Sequence, residues 1–414
     1  MRIGVFSDTH LGNTTYKNQN VPDNAKDYGR KEDYRESFEE AINLFLEIKP
    51  DFVFHLGDIL EAKADGEIYN ESIKVAVDGI RKLLRAGIKV VLVEGNHDFV
   101  KSHDEENRVF SIIERVFEDH LDRELFVARA GKIKVVDVFG IPAVAIGYTD
   151  EADPSIVKAK VFQAEKEING QKAMILLHQS VGEDIPYRSL NYDDVPKNFR
   201  IIFNGHIHKP LIKYLSDYRL FLNVGSTEYE NVAEAVDYRE VLNYEGESLL
   251  RFILKGIYVL EGRGIYKPKV EITDGNIPKH HLEDRNFIPL RKCRPFIKFD
   301  CSDWATFEEV LKKIADHNIK PPYVRVELGG GIRVEDAERR LNNLMEKGYI
   351  HRYILKWKQV EVYEGGKVRR GGEIPSFEEL EEVRPYAHII RTLRGKDVEE
   401  MREEISRIIF SSGR

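Results

Sequence analysis

Over the first 255 residues, short apolar runs alternate with stretches of helical periodicity. Residues 3–6 form a run of the length and character of a buried strand. From Tyr34, apolar side chains recur at Phe38, Ala41, Phe45 and Ile48, steps of four and three that place them on one helix face. Residues 52–56 predict the next strand, 70–86 the next helix, 88–93 a third strand and 106–118 a further helix. More strands are expected at 142–147, 173–177, 200–204 and 220–224. Strands that alternate with helices imply a layered α/β domain whose sheet is parallel or mixed.

The pattern changes after residue 255. Residues 256–364 read as a small α+β domain: a strand at 295–301, a helix at 304–316 capped by Ser302 or Asp303, a strand at 323–328, a helix at 334–347 stopped by Gly348, and mostly strand at 350–363. Residues 365–375 carry Gly365, Gly366, Gly371 and Gly372 among basic residues and read as a flexible linker. Residues 376–414 return to helical patterning. Ser376 and Glu379 form a capping box, Pro385 interrupts the segment, and Val398, Met401, Ile405 and Ile408 share a stripe behind Asp397. Such short stripes are marginal alone and imply a surface to dock on, set against packing back on the second domain.

Composition narrows the class. A chain of 414 residues suggests two or three domains at roughly 150 residues each. Its 42% hydrophobic content supports a sizeable core and excludes a disordered chain. The net charge of -8 does not announce a nucleic-acid binder. It does not exclude one, because metal ions and a local basic patch can hold phosphate on an acidic protein. Two basic clusters are candidates, Arg291/Lys292/Arg294 and Lys367/Arg369/Arg370, against the ordinary reading of solvated charge. Cys293 and Cys301 are the only cysteines, too far apart along an expected strand to bridge, which fits the cytoplasm. No signal peptide is expected, and no stretch approaches the ~20 apolar residues of a membrane span.

The chemistry lies in five polar motifs, each directly after an apolar strand: Asp8-Thr9-His10, Gly57-Asp58, Gly95-Asn96-His97-Asp98, His178, and Gly205-His206-Ile207-His208. Ligands of open α/β sheets sit beyond the carboxyl ends of the strands, so all five are expected to converge at one edge of one sheet. Singly, each motif reads as a turn or a structural histidine; together and in this order they do not. Asp8, His10, Asp58, Asn96, His178, His206 and His208 offer carboxylate, imidazole and carboxamide donors, a mixture that suits Mn, Fe or Zn better than Ca or Mg alone. Seven donors are too many for one ion and enough for two, with one carboxylate, Asp58 in this reading, bridging them. Two ions roughly 3.5–4 Å apart can activate water and stabilise both oxygens of an in-line displacement at phosphorus. Glycines before Asp58, Asn96 and His206 are expected to let the backbone turn sharply there.

This constellation resembles the calcineurin-like metallophosphoesterase superfamily. The resemblance implies a sandwich of β-sheets flanked by helices. It assigns Asp8, His10, Asp58 and His208 to one metal, and Asp58, Asn96, His178 and His206 to the other. It makes His97 the general acid facing the leaving oxygen, with Asp98 holding it. Leu11-Gly12 after the first motif, Gly225-Ser226-Thr227-Glu228 after the last, and Arg294-Pro295-Phe296-Ile297 in the second region are similar to SbcD-type DNA double-strand-break repair nucleases. That resemblance implies two divalent ions, Mn2+ foremost, and a capping domain that orients DNA. It also implies a homodimer built from helices near 70–86 and 104–118, and C-terminal helices docked on an SbcC-type ABC ATPase. One position departs from the pattern: Glu61 stands where these nucleases usually carry His. A carboxylate there is expected to repel phosphate, which favours endonuclease over exonuclease action. A nucleotide or small-molecule phosphodiesterase of the same superfamily is the alternative, and a scaffold with a purely structural metal site is a third reading.

Overall fold

The computed structural model describes residues 1–13, 30–61, 70–98, 109–183, 188–215, 217, 219–230, 234–261, 286–328, 332–357, 359–364 and 367–372. The chain divides into two compact units, Met1–Val326 with Ile332–Leu355, and Glu327–Gly331 with Lys356–Arg414.

Two six-stranded sheets dominate the first unit. One contains β1 (Arg2–Phe6), β2 (Phe52–His55), β3 (Lys89–Val93) and β4 (Leu125–Ala128), parallel neighbours in that order. The other contains β5 (Ile133–Val138), β6 (Ile141–Ile146), β7 (Ala173–Leu177), β8 (Phe199–Asn204), β9 (Leu211–Tyr214) and β10 (Leu220–Asn223), ordered β5-β6-β7-β8-β10-β9 with antiparallel edges. β11 is the short strand Val236–Asp237. β12 (Gly256–Glu261) and β13 (Phe287–Pro289) then complete the first sheet beside β1, with Ile3 opposite Leu260. The division expected after residue 255 therefore falls inside this sheet. Pairing between segments some 250 positions apart leaves no trace in local periodicity.

The sheets pack face to face because strand side chains alternate with period two. In β1, Ile3 and Val5 enter a core shared with Phe54 and Val91 of the same sheet and Met174, Leu176 and Phe203 of the other. The rings of Phe54 and Phe203 meet across the layer at 5.9 Å. Each such fully buried side chain contributes roughly 1.5–3 kcal/mol. The alternate residue Phe6 points outward onto Phe38 and Phe45 of α1 (Arg30–Ile48). Gly4 admits that helix, since a β-carbon there would lie 2.3 Å from the Phe45 ring. α2 (Asn70–Arg85) and α3 (Val109–Val116) follow on the first half. On the far side, α4 (Pro154–Glu167) covers the second sheet, burying Val157, Val161 and Ala164 against Val144, Ile175 and Ile202.

After the short helices α5 (Tyr238–Val241) and α6 (Gly246–Ile253) comes the small α+β region. β14 (Phe296–Phe299), β15 (Tyr323–Leu328) and β16 (Arg352–Trp357) join β11 in a four-stranded sheet, with α7 (Trp304–Asp316) and α8 (Val334–Glu346). Asp303 is the cap of α7, its side chain accepting from Thr306 N at 3.0 Å. The second unit contains a hairpin of β17 (Gln359–Glu364) and β18 (Lys367–Gly372). Residues 367–372, expected within a linker, are thus a strand paired antiparallel with β17. The helices expected at 376–414 lie outside the described residues.

Candidate metal centre

All seven expected donors come together, and they do so from both sheets. Asp8 and His10 follow β1, Asp58 follows β2 and Asn96 follows β3, all of the first sheet; His178 follows β7, and His206 and His208 follow β8, of the second. The expectation of one sheet edge is corrected: strand ends of two packed sheets meet. Apolar runs mark strands but do not say which sheet they join.

The backbone is bent sharply at the donors. Asp8, His10, Asp58 and His206 have φ of 52°, 41°, 54° and 72°, a region that non-glycine residues rarely enter. Each costs about 1–3 kcal/mol and persists only where the surroundings enforce it. Asp8 N donates to Gly57 O and His10 N to Asp58 O, both at 3.0 Å, and His206 N donates to the Asp8 carboxylate at 3.1 Å. Of the three glycines expected to turn the chain, only Gly57 has a positive φ, 105°. Gly95 and Gly205 serve close approach instead. A β-carbon on Gly95 would lie 2.2 Å from Asp58 Oδ1, and one on Gly205 would lie 2.5 Å from the Leu56 carbonyl oxygen.

The donors form two groups. Asp8, His10 and His208 are one, with His10 Nε2 3.2 Å from His208 Nε2 and His208 Nε2 3.5 Å from Asp8 Oδ1. Asp58, His178 and His206 are the other, joined by Asn96, whose Oδ1 is 3.0 Å from both His178 Nε2 and His206 Nδ1. Asp58 Oδ2 stands between them, 3.1 Å from His178 Nε2 and 3.8 Å from His10 Nε2.

A layer of acceptors behind the imidazoles decides what faces inward. His10 Nδ1 is 2.6 Å from Glu61 Oε2, and His208 Nδ1 is 2.8 Å from Glu230 Oε2. A carboxylate on Nδ1 requires the proton there, so in the neutral rings both Nε2 lone pairs point at each other and at the oxygens of Asp8 and Asp58. Such convergence of lone pairs is repulsive unless a cation sits among them. Burial opposes a charge on His208, yet Glu230 and Glu234 push it well above the usual histidine range. The field that would hold a proton there suits a metal equally. Likewise, burial opposes the charge of His178, but Asp58 raises it to about 9. His178 Nδ1 donates to Leu56 O at 2.7 Å, and Glu151 Oε2 lies 3.7 Å from His206 Nε2. Oriented rings with hydrogen-bonded rear nitrogens, as on His10, His178 and His208, are how metal-binding histidines are built, and a carboxylate also stands behind His206, so the residues present fit two ions.

Glu151, Glu230 and Glu234 escaped the sequence reading. Glu230 and Glu234 follow Gly225-Ser226-Thr227, and Glu151 trails β6; among 71 acidic residues neither position stands out. Asp98 is placed differently from expectation. It does not hold His97: its Oδ2 accepts from Asp58 N at 2.9 Å and Gly95 N at 2.7 Å, and its Oδ1 from Leu60 N at 2.9 Å. His97 sits at the rim, its side chain 28% exposed, with Nδ1 3.1 Å from Glu61 Oε1. The basic cluster at 291–294 also divides. Arg291 and Lys292 are exposed, whereas Arg294 turns inward to Asp33, 2.9 Å away. The other cluster falls on β18.

The family model described as calcineurin-like phosphoesterase matches residues 1–210, just over half of the chain. A DNA double-strand break repair protein Mre11 of Methanococcus maripaludis is 28% identical over 328 residues, covering 78% of this chain and 76% of that protein. The Mre11 of Methanocaldococcus jannaschii is 28% identical, covering 76% and 74%, and that of Thermoplasma acidophilum 26%, covering 80% and 77%.

Proposed function

Because the chain belongs to the calcineurin-like phosphoesterase family, we propose that it hydrolyses DNA phosphodiester bonds with two divalent metal ions, Mn2+ foremost, in double-strand-break repair. The observation that carries this reading is the pair of donor groups sharing Asp58. Asp8, His10, Asp58 and His208 would hold one ion, and Asp58, Asn96, His178 and His206 the other. When bound, the ions supply an activated water and charge stabilisation at phosphorus. The chain supplies the rest. The far-side carboxylates fix the donor rings, and His97 at the rim delivers a proton to the departing oxygen. Relatives named as repair proteins, matched over about three quarters of both chains, support DNA as the substrate.

The finer reading has three parts. Endonuclease action is favoured over exonuclease action on residue type alone: similar nucleases usually place His where this chain has Glu61, and the missing imidazole, rather than repulsion by a carboxylate already held by His10 and His97, carries the preference. An SbcC-type ABC ATPase is the partner for residues 376–414, in the cytoplasm; among the described residues no helix is long and apolar enough to cross a membrane. A homodimer is built from helices near 70–86 and 104–118, a reading supported on α3, where Ile112 and Val116 are 40% and 46% exposed one helical turn apart.

The test is cleavage of single-stranded, hairpin and duplex DNA with Mn2+, with and without the ATPase. Internal cutting is expected to outpace end-trimming, and equal rates would remove the endonuclease preference. Hydrolysis of nucleotide diesters without DNA cleavage would favour the small-molecule alternative, and bound metal without any hydrolysis the scaffold. His97→Asn is expected to lower cleavage about 10²- to 10⁴-fold while metal binding persists; undiminished cleavage would end the general-acid assignment.

A further inference from the structure

Glu61 was expected to face the substrate and repel it, and its carboxylate is engaged elsewhere. One oxygen is 2.6 Å from His10 Nδ1 and the other 3.1 Å from His97 Nδ1, with the side chain only 14% exposed. The rings of His10 and His97 lie edge to face at 5.0 Å. One carboxylate thus ties a donor of the metal centre to the imidazole at its rim. Both contacts are to Nδ1, so both rings are held with a proton on that nitrogen and with Nε2 turned away from Glu61.

We propose that Glu61 is a positioning residue for the leaving-group acid: it holds His97 in the ring orientation that presents Nε2 to the departing oxygen, and locks that orientation to His10. This rests on the phosphodiesterase reading above. As the bond from phosphorus to the departing oxygen breaks, its electron pair goes to that oxygen and the His97 Nε2 proton follows. The ring left neutral keeps its Nδ1 proton on Glu61 and regains the other from water. Repulsion and positioning predict opposite signs. Removing a repelling charge should speed cleavage of an anionic substrate, whereas removing a positioning charge should slow it, and only where the leaving group needs a proton.

The experiment compares the full chain with Glu61→Gln, His97→Asn and the double variant in Mn2+. Substrates are a DNA oligonucleotide and aryl phosphodiesters graded from 4-nitrophenyl, which leaves without help, to phenyl, which does not. Glu61→Gln is expected to slow DNA cleavage about 10- to 100-fold and 4-nitrophenyl release by less than about threefold, and the double variant to be no slower than His97→Asn alone. Calorimetric titration with Mn2+ should still find two ions. In protein with 15N-labelled histidine, the His97 resonances, assigned by their loss in His97→Asn, should shift away from the Nδ1-protonated position in Glu61→Gln. Cleavage as fast as wild type or faster, equal loss across all leaving groups, one fewer ion bound, or unchanged His97 resonances would each overturn the proposal. Wild-type protein that hydrolyses aryl diesters but not DNA would defeat the nuclease reading alone, because the aryl series still scores Glu61. The resonances score it without any turnover.

Discussion

Asp98 shows what a residue's neighbours in sequence conceal. It follows His97 directly, yet both its oxygens are occupied by the backbone amides of Asp58, Leu60 and Gly95. Its work is to hold the loop after β2 against the loop after β3, which keeps Asp58 in its strained conformation. Burial and the neighbouring Asp58 charge push the Asp98 carboxyl well up, so these contacts lack charge assistance. Asp98→Asn would turn an amide N–H toward a backbone N–H and leave a buried donor unpaired, at a cost of about 1–3 kcal/mol. A lowered urea midpoint with weaker Mn2+ binding is the expected result; a variant as stable as wild type would show that the loops do not depend on these contacts. The residue types of the candidate metal centre were legible because few other functions need histidines and carboxylates at five strand ends, here those of β1, β2, β3, β7 and β8. The groups behind them were not, because a supporting carboxylate looks like any other acidic residue until the fold brings it to an imidazole.

At the scale of elements, a buried ionic network ties α1 to the small α+β region. Arg30, fully buried, reaches Glu228 at 3.7 Å, lies 4.8–5.3 Å from the ring centres of Tyr34, Phe296 and Tyr323, and pairs with Asp33. Arg294 and Lys320 both reach Asp33 at 2.9 Å. Burial pushes the Asp33 carboxyl up, but the Arg294 hydrogen bond and the charges of Arg294, Arg30 and Lys320 win and hold it below its ordinary value. A carboxyl lowered on folding adds stability that is present above its unfolded pKa, about 3.9, and is lost as pH falls through the lower folded value. Asp33→Asn is therefore expected to destabilise at pH 7, with the gap to wild type closing below about pH 4. Denaturation at graded pH checks this, and a gap independent of pH would show that packing rather than charge is at stake. Helix and strand periods foretold α1, α2, β1 to β3 and β14 to α8 closely. They missed β4, β5, β9, β11, β12, β13 and the helices α4 to α6. In α4, Ile156 and Phe162 are exposed, so its apolar positions do not make one clean face.

For the whole molecule, the converging lone pairs of the metal centre make stability depend on cations. Mn2+ at a hundred times its Kd should stabilise the fold by about 2.7 kcal/mol, read as a rise in melting temperature that EDTA reverses; no change would mean that the centre is filled by protons alone. The proposed dimer is tested on α3: Ile112→Glu with Val116→Glu is expected to give a monomer in sedimentation, while an unchanged mass would overturn the α3 contact. By itself the sequence determined the layered α/β class and pointed to the seven proposed donors that the fold brings together, because both are written locally, as periods of two and 3.6 and as residue types after strands. Tertiary structure decided what local pattern does not carry. It brought the strand ends of two sheets to one centre, drew β12 back beside β1, and turned Glu61 from a charge facing the substrate into the tie between His10 and His97. Each is a meeting of segments distant in sequence, settled by how the sheets pack rather than by any run of residues.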